Sequence, residues 1–205
     1  MSAPSKPATL FLASSNEGKL REYRALAAPL SARLTLELLP NFNSLPKFAE
    51  DAPTFGENAV GKALHYSRFA FGLLLAEDSG LVVAALGGAP GVHSARYAGP
   101  AATDAARIEK LLGEMKDKRS PERSARFVCV AALAESGQIR GVFSGSAEGE
   151  LLDARRGSGG FGYDPIFFLP ELGKTFAELS REEKNQRSHR GIAFRKALEF
   201  LLSTR

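Results

Sequence analysis

Residues 157–165, Gly157-Ser158-Gly159-Gly160-Phe161-Gly162-Tyr163-Asp164-Pro165, hold four glycines, two aromatic rings and a carboxylate. Glycine lets a backbone approach a ligand closely and reach positive φ at little cost. Phe161 and Tyr163 offer faces on which a planar group can stack. Taken alone, the segment reads as a glycine-rich hairpin loop with two core aromatics. Other polar clusters in the chain ask for the same kind of ligand and shift that reading.

Ser14-Ser15-Asn16-Glu17-Gly18-Lys19 lies between an apolar run and a helical pattern. Asn16 can cap the helix, Gly18 keeps its first turn open, and free N–H groups there favour an anion. Lys19 adds a full positive charge. The segment is not a Walker A loop, because G-x-x-x-x-G-K-[ST] is absent. Glu77-Asp78-Ser79-Gly80 follows Leu73-Leu74-Leu75-Ala76, and adjacent carboxylates beside an apolar strand are costly unless paired. On a strand they point to opposite faces. Mg²⁺ prefers a few carboxylates plus phosphate oxygens, which makes one of this pair a metal candidate and the pair Glu50-Asp51 a source of a second ligand. Gly87 to Tyr97 has the composition of a loop. In Ser180 to Gly191, Ser180 and Glu183 can form a capping box and Ser188 can cap a second helix. That places His189 and Arg190 in a first turn, where cations oppose the helix dipole and a bound anion or acceptor would relieve the conflict.

The elements that must position these residues follow from periodicity. Ala8–Ala13, Leu34–Leu39, Leu73–Ala76, Leu81–Ala85 and Ile166–Leu169 are apolar runs suited to strands, with Glu77–Gly80 between the third and fourth. Arg126–Ala134 and Ile139–Ala147 read as paired strands joined at Ser136-Gly137. Leu20, Tyr23, Ala27 and Leu30 form a helical stripe. Thr54-Phe55-Gly56-Glu57 has capping-box spacing before a helix that carries Ala59, Ala63 and Tyr66. Thr103–Met115 is helical with Thr103 as cap, and Phe194, Leu198, Leu201 and Leu202 mark a C-terminal helix. Mixed strands and helices give an α/β fold with one continuous, mixed sheet.

The chain has 205 residues, 44% hydrophobic, enough for one domain or two lobes sharing a core. Residues 1–7 read as a disordered lead and 8–205 as one domain. The net charge of +4 suits either nucleic acid or a small polyanion such as a triphosphate. A single cysteine, Cys129 in an apolar run, excludes an internal disulfide and fits a reducing compartment, the cytoplasm. No apolar stretch is long enough for a membrane span.

Taken in order, these motifs resemble the inosine triphosphate pyrophosphatase family, hydrolases of non-standard purine nucleoside triphosphates. The pieces are Ser14–Lys19 with Glu22, Thr54–Ala59, Asp78–Leu81, Gly87–Gly91, Ser94–Tyr97, Gly157–Pro165, Lys184 and Ser188–Arg190. The resemblance runs from about Leu10 to the end. It implies an elongated mixed sheet, two lobes with an active-site cleft, and a homodimer. It implies Mg²⁺-dependent hydrolysis of ITP, dITP and XTP to the monophosphate and pyrophosphate. By the same resemblance, Ser14, Ser15, Asn16, Glu17, Gly18 and Lys19 hold the triphosphate, and Lys19 and Asp78 are catalytic. Asp78 and Glu50 bind metal, and Ser79 touches substrate. Phe161, Gly162, Tyr163 and Asp164 form the base pocket, completed by Lys184, His189 and Arg190. The family commonly has Thr-Gly where this chain has Ser14-Ser15, and Asp-Asp where it has Glu77-Asp78.

Two other readings compete. A pyrophosphatase for modified pyrimidine triphosphates is the nearest. A nucleic-acid-binding module would need a clustered basic stripe with aromatics along it. This chain instead concentrates glycine and aromatic residues in one loop and keeps its acids at strand ends, so no nucleic-acid partner is expected.

Overall fold

The computed structural model of the chain describes residues 7–203. Apart from Pro7, the expected N-terminal lead lies outside the described residues. Seven strands form one sheet: β1 (Ala8–Leu12), β2 (Leu34–Leu38), β3 (Leu73–Val83), β4 (Ser124–Glu135), β5 (Gln138–Leu151), β6 (Phe167–Leu169) and β7 (Lys174–Thr175). Their order is β2-β1-β3-β4-β5-β6-β7. Strand β1 pairs in parallel with β2 and β3, with Leu10 opposite Leu73 and Leu12 opposite Leu75. Strand β6 pairs antiparallel with β5 and β7. The sheet is therefore mixed, as the alternation of strand and helix patterns requires. Five α-helices accompany it: α1 (Glu17–Ala27), α2 (Phe55–Tyr66), α3 (Asp104–Glu114), α4 (Arg181–Arg187) and α5 (His189–Ser203).

The chain forms two compact units. One holds the residues up to Asp78, 130–144 and the stretch from Ala193 onward; the other holds 79–129 and 145–192. In the first, Leu74 and Ala76 of β3, Ala59, Ala63 and Tyr66 of α2, and Ala132 and Ala134 of β4 share a buried core. Helix α1 buries Leu20, Tyr23 and Ala27, and the Tyr23 ring meets Phe194 edge-on at 4.9 Å. In the second, Leu81 and Val83 pack with Ile108 and Leu111 of α3 and with Phe127, Ile166, Phe167 and Phe176.

Local chemistry explains where helices begin. Asn16 accepts a hydrogen bond from the Lys19 amide at 3.0 Å, Thr54 from Glu57 at 3.2 Å, and Thr103 from Ala106 at 3.2 Å. At Thr54 the full box does not form, because the Glu57 carboxylate accepts from the Thr54 hydroxyl at 2.7 Å. The full capping box does form at Ser180 and Glu183, and Ser188 accepts from Gly191 at 3.0 Å to start α5. Ser136 and Gly137 both have positive φ, the left-handed pair that a two-residue hairpin turn needs.

One expectation is overturned. Glu77-Asp78-Ser79-Gly80 does not separate two strands; it lies inside the single strand β3. Acids and glycine are poor strand formers, but pairing and packing override that preference. Both carboxylates have partners, which removes the reason to expel them into a surface turn.

Arg123 shows how the second unit is tied together. Its buried guanidinium donates to the carbonyls of Leu151 at 2.6 Å, Met115 at 2.9 Å and Leu152 at 2.8 Å. Replacing it with Met strands these acceptors. Arg123→Met is expected to cost roughly 3 kcal/mol, read as a lower urea midpoint with unchanged slope. An unchanged midpoint contradicts this role.

Candidate functional site

In the first unit, strand β3 presents two neighbouring acids to two different helices. Glu77 and Asp78 are buried, at 2% and 5% exposure. Glu77 forms an ion pair with Lys19 in the first turn of α1. Asp78 Oδ2 accepts a hydrogen bond from Asn58 Nδ2 of α2 at 2.9 Å. This is the alternation of a strand made visible. Asn58 is itself fixed, because its Oδ1 accepts from the Ala52 amide at 3.0 Å. Lys62, one turn further along α2, pairs with Glu50 Oε1 at 2.5 Å. Asn58 and Lys62 thus bring the loop around Glu50 and strand β3 to one helix.

Burial pushes the Asp78 carboxyl above the ordinary carboxylate value. The Asn58 hydrogen bond and the Lys19 charge oppose that shift, while the negative charges of Glu50 and Glu77 add to it. The charges of Glu50 and Glu77 are thus felt at Asp78. Among the described residues, no three His, Cys, Asp or Glu side chains gather as a ready-made metal cage. A buried carboxylate reinforced by nearby acids still fits Mg²⁺, which takes one or two carboxylates and completes its shell with phosphate oxygens and water.

Beside these acids, Ser14 Oγ accepts from the Asn16 amide at 3.2 Å, so the segment entering α1 is held by its own side chains. A cavity of about 330 Å³ opens against Ser14, Ser15 and Glu17, with Asn41, Asn43 and Ser44 on its polar side. Ser15 is exposed and Gly18 is buried.

In the second unit, the loop 157–165 is organised by carboxylates. Asp164 Oδ2 accepts from the Phe161 amide at 2.8 Å and pairs with Lys184 Nζ at 2.5 Å. Gly160 has φ +73, and a Cβ there would lie 2.0 Å from Asp164 Oδ2, so only glycine lets the carboxylate sit so close. Lys184 Nζ lies 5.0 Å from the Phe161 ring centre and the Arg190 guanidinium 5.6 Å. Arg190 also donates to Ser79 Oγ at 2.9 Å. His189 stacks on Phe127 at 4.7 Å with the rings nearly parallel.

Tyr163 departs from its expected role as a stacking face. Its ring is buried in the core and its hydroxyl donates to the Ser94 carbonyl at 3.0 Å. Phe161 is the ring of this loop that is only partly buried. The two basic residues that open α5 have partners in their own unit: the Phe127 ring for His189, and Ser79 and Phe161 for Arg190.

Sequence reasoning gave no role to Asn58, Lys62 or Asp104. Asn58 and Lys62 were readable as polar residues four apart on a helix face otherwise lined by Ala59 and Ala63. Asp104 lies one residue past the cap that was identified, with no distinguishing local signal.

An α/β fold with paired acids on a central strand, a capped helix carrying a lysine and a glycine-aromatic loop braced by carboxylates defines a nucleotide-handling class of protein. The chain belongs to the Ham1 family, whose model matches residues 10–200. This is the inosine triphosphate pyrophosphatase family that the motifs resemble. It is 51% identical to a protein of Thermus thermophilus named dITP/XTP pyrophosphatase, covering 93% of this chain and 90% of that one. A protein of the same name from Geobacillus kaustophilus is 49% identical, with 91% of each covered. Among solved structures, a HAM1 protein from Coxiella burnetii matches with a TM-score of 0.84 and 42% identity, covering 96% of this chain and 99% of that one.

The raised Asp78 pKa has a consequence for stability. A carboxyl whose folded pKa exceeds its unfolded value favours the folded state below the unfolded pKa. That contribution disappears as pH rises through the folded pKa. At neutral pH the buried charge is therefore a cost. In metal-free buffer, Asp78→Asn is expected to melt higher than the wild type at pH 7.5. The gap should narrow as pH falls toward the ordinary carboxylate range. A variant that melts lower at pH 7.5 contradicts the assignment.

Proposed function

We propose that this chain hydrolyses the non-standard purine nucleoside triphosphates dITP, XTP and ITP to the monophosphate and pyrophosphate, with Mg²⁺, as a cytoplasmic homodimer. The class, a nucleoside-triphosphate pyrophosphatase, follows from membership of the family. The observation that carries the finer reading is the buried Asp78, flanked electrostatically by Glu50 and Glu77 and served by Lys19. Such a carboxylate is costly unless it works on a cation or a proton.

Asp78 and Glu50 would hold Mg²⁺, whose chemistry is to neutralise phosphate charge and lower the pKa of water. Ser14, Ser15, Asn16, Glu17 and Gly18 present the amides of the α1 N-terminus to the triphosphate, and Lys19 adds charge against the negative charge that develops. The proton of the attacking water passes to a carboxylate: Asp78, its two oxygens dividing the roles of ligand and base, or Glu77 or Glu57. The water oxygen bonds to the α-phosphorus as its bond to the pyrophosphate oxygen breaks, and pyrophosphate leaves with the electron pair. Ser79, which holds Arg190, touches the substrate.

Phe161 stacks on the purine, with Gly162, Tyr163 and Asp164 shaping the loop behind it. Hypoxanthine and xanthine carry an acceptor at position 6, where adenine carries an amino donor. Lys184, His189 and Arg190 are donors, so they pair with the former and leave the latter mismatched. A site built on hydrogen bonds rejects such mismatches strongly.

Pyrophosphate release with Mg²⁺ is expected to show kcat/KM for dITP and XTP at least about 100-fold above dATP. Asp78→Asn is expected to lower kcat by about 1000-fold while staying folded. Comparable kcat/KM for dATP and dITP removes the substrate assignment, and near-normal turnover by the variant removes Asp78 from the mechanism.

A further inference from the structure

The backbone that carries the Phe161 ring is held from two sides, and only one of them belongs to its own loop. Its own amide donates to Asp164 Oδ2 at 2.8 Å. The next amide, that of Gly162, donates to Asp104 Oδ2 at 2.6 Å, across 58 residues of sequence. Gly162 has φ +61 with no atom near where a Cβ would lie, so conformation and not crowding selects glycine there. A glycine at positive φ is also free to leave it, because its alternatives cost little. A charged acceptor on its N–H removes that freedom.

Asp104 is aimed by its neighbours. It is the first residue of α3, capped by Thr103. Its other oxygen, Oδ1, pairs with Arg107 one turn along the helix. Arg107 in turn donates to the carbonyl of Ala95. The neighbouring Ser94 carbonyl receives the Tyr163 hydroxyl at 3.0 Å. Helix α3 thus clamps the segment 91–96 and the aromatic loop together, through side chains that stand apart from the Asp164–Lys184 pair.

We infer that Asp104, aimed by Arg107, is a positioning residue for base recognition: it fixes the Phe161-Gly162 peptide so that the Phe161 ring is presented to the purine before substrate arrives. This rests on the proposed function. Pre-set geometry lowers the cost of ordering the loop on binding. Loss of the clamp therefore weakens interactions made equally in the ground and transition states, which raises KM and leaves kcat unchanged.

The test compares wild type, Asp104→Ala, Asp104→Asn and Arg107→Ala by dITP hydrolysis and by inhibition with inorganic tripolyphosphate, which has no base. Asp104→Ala is expected to raise KM for dITP about fivefold, as for loss of one charge-assisted hydrogen bond on a partly exposed site. Its kcat and its tripolyphosphate inhibition constant stay within about twofold of wild type on the same reasoning. Asp104→Asn keeps the acceptor for Gly162 and recovers most of the KM, and Arg107→Ala falls between. If Asp104→Ala leaves the KM for dITP unchanged, the inference fails. It also fails if dITP and tripolyphosphate weaken together, since the effect is then general damage to the fold. A wild type inert toward dITP overturns the proposed function, and this inference with it.

Discussion

The buried charge of Asp78 is the constraint from which the first unit's polar architecture follows. A carboxylate 5% exposed must be compensated locally. Asn58 supplies a hydrogen bond, and Asn58 is in turn fixed by the Ala52 backbone. Lys19 supplies charge, but it is shared with Glu77. Glu50 adds repulsion while it is held by Lys62. The sum still leaves the Asp78 carboxyl raised. A structure optimised only for stability would place an amide or an apolar side chain there. Keeping an acid where its charge is a liability is the signature of a group kept for a cation or a proton.

The second unit solves the complementary problem of presenting a flat ring without burying it. Tyr163 commits its ring to the core and its hydroxyl to a carbonyl, and so anchors the loop. Phe161, two residues earlier, stays partly exposed and is flanked by Lys184 and Arg190. Cations near an aromatic face are favourable in themselves, and they leave donors within reach of anything stacked on that ring. The two basic residues in the first turn of α5 are each held by a partner, His189 by stacking on Phe127 and Arg190 by bonding to Ser79.

Local signals in the sequence were legible and long-range ones were not. The caps at Asn16, Thr54, Thr103, Ser180 and Ser188 could be read because a cap and its amide lie three residues apart. The Ser136-Gly137 turn was readable from its residue types. Glu77–Gly80 was misread as an interruption because what keeps its acids in the strand lies elsewhere. Asn58 is 20 residues from Asp78, and Lys19 is further still from Glu77. Asp104 escaped notice for the same reason, its partner Gly162 being 58 residues away. The order of the motifs brought the family into view where no single contact did.

The account's central claim is that Asp78 is buried at a cost because it serves a metal together with phosphate. Calorimetric titration of Mg²⁺ into the protein saturated with tripolyphosphate, beside the same titration of Asp78→Asn, tests this without turnover. The account predicts that tripolyphosphate tightens Mg²⁺ binding to the wild type and has no such effect on the variant. Equal Mg²⁺ affinity in the two proteins contradicts it.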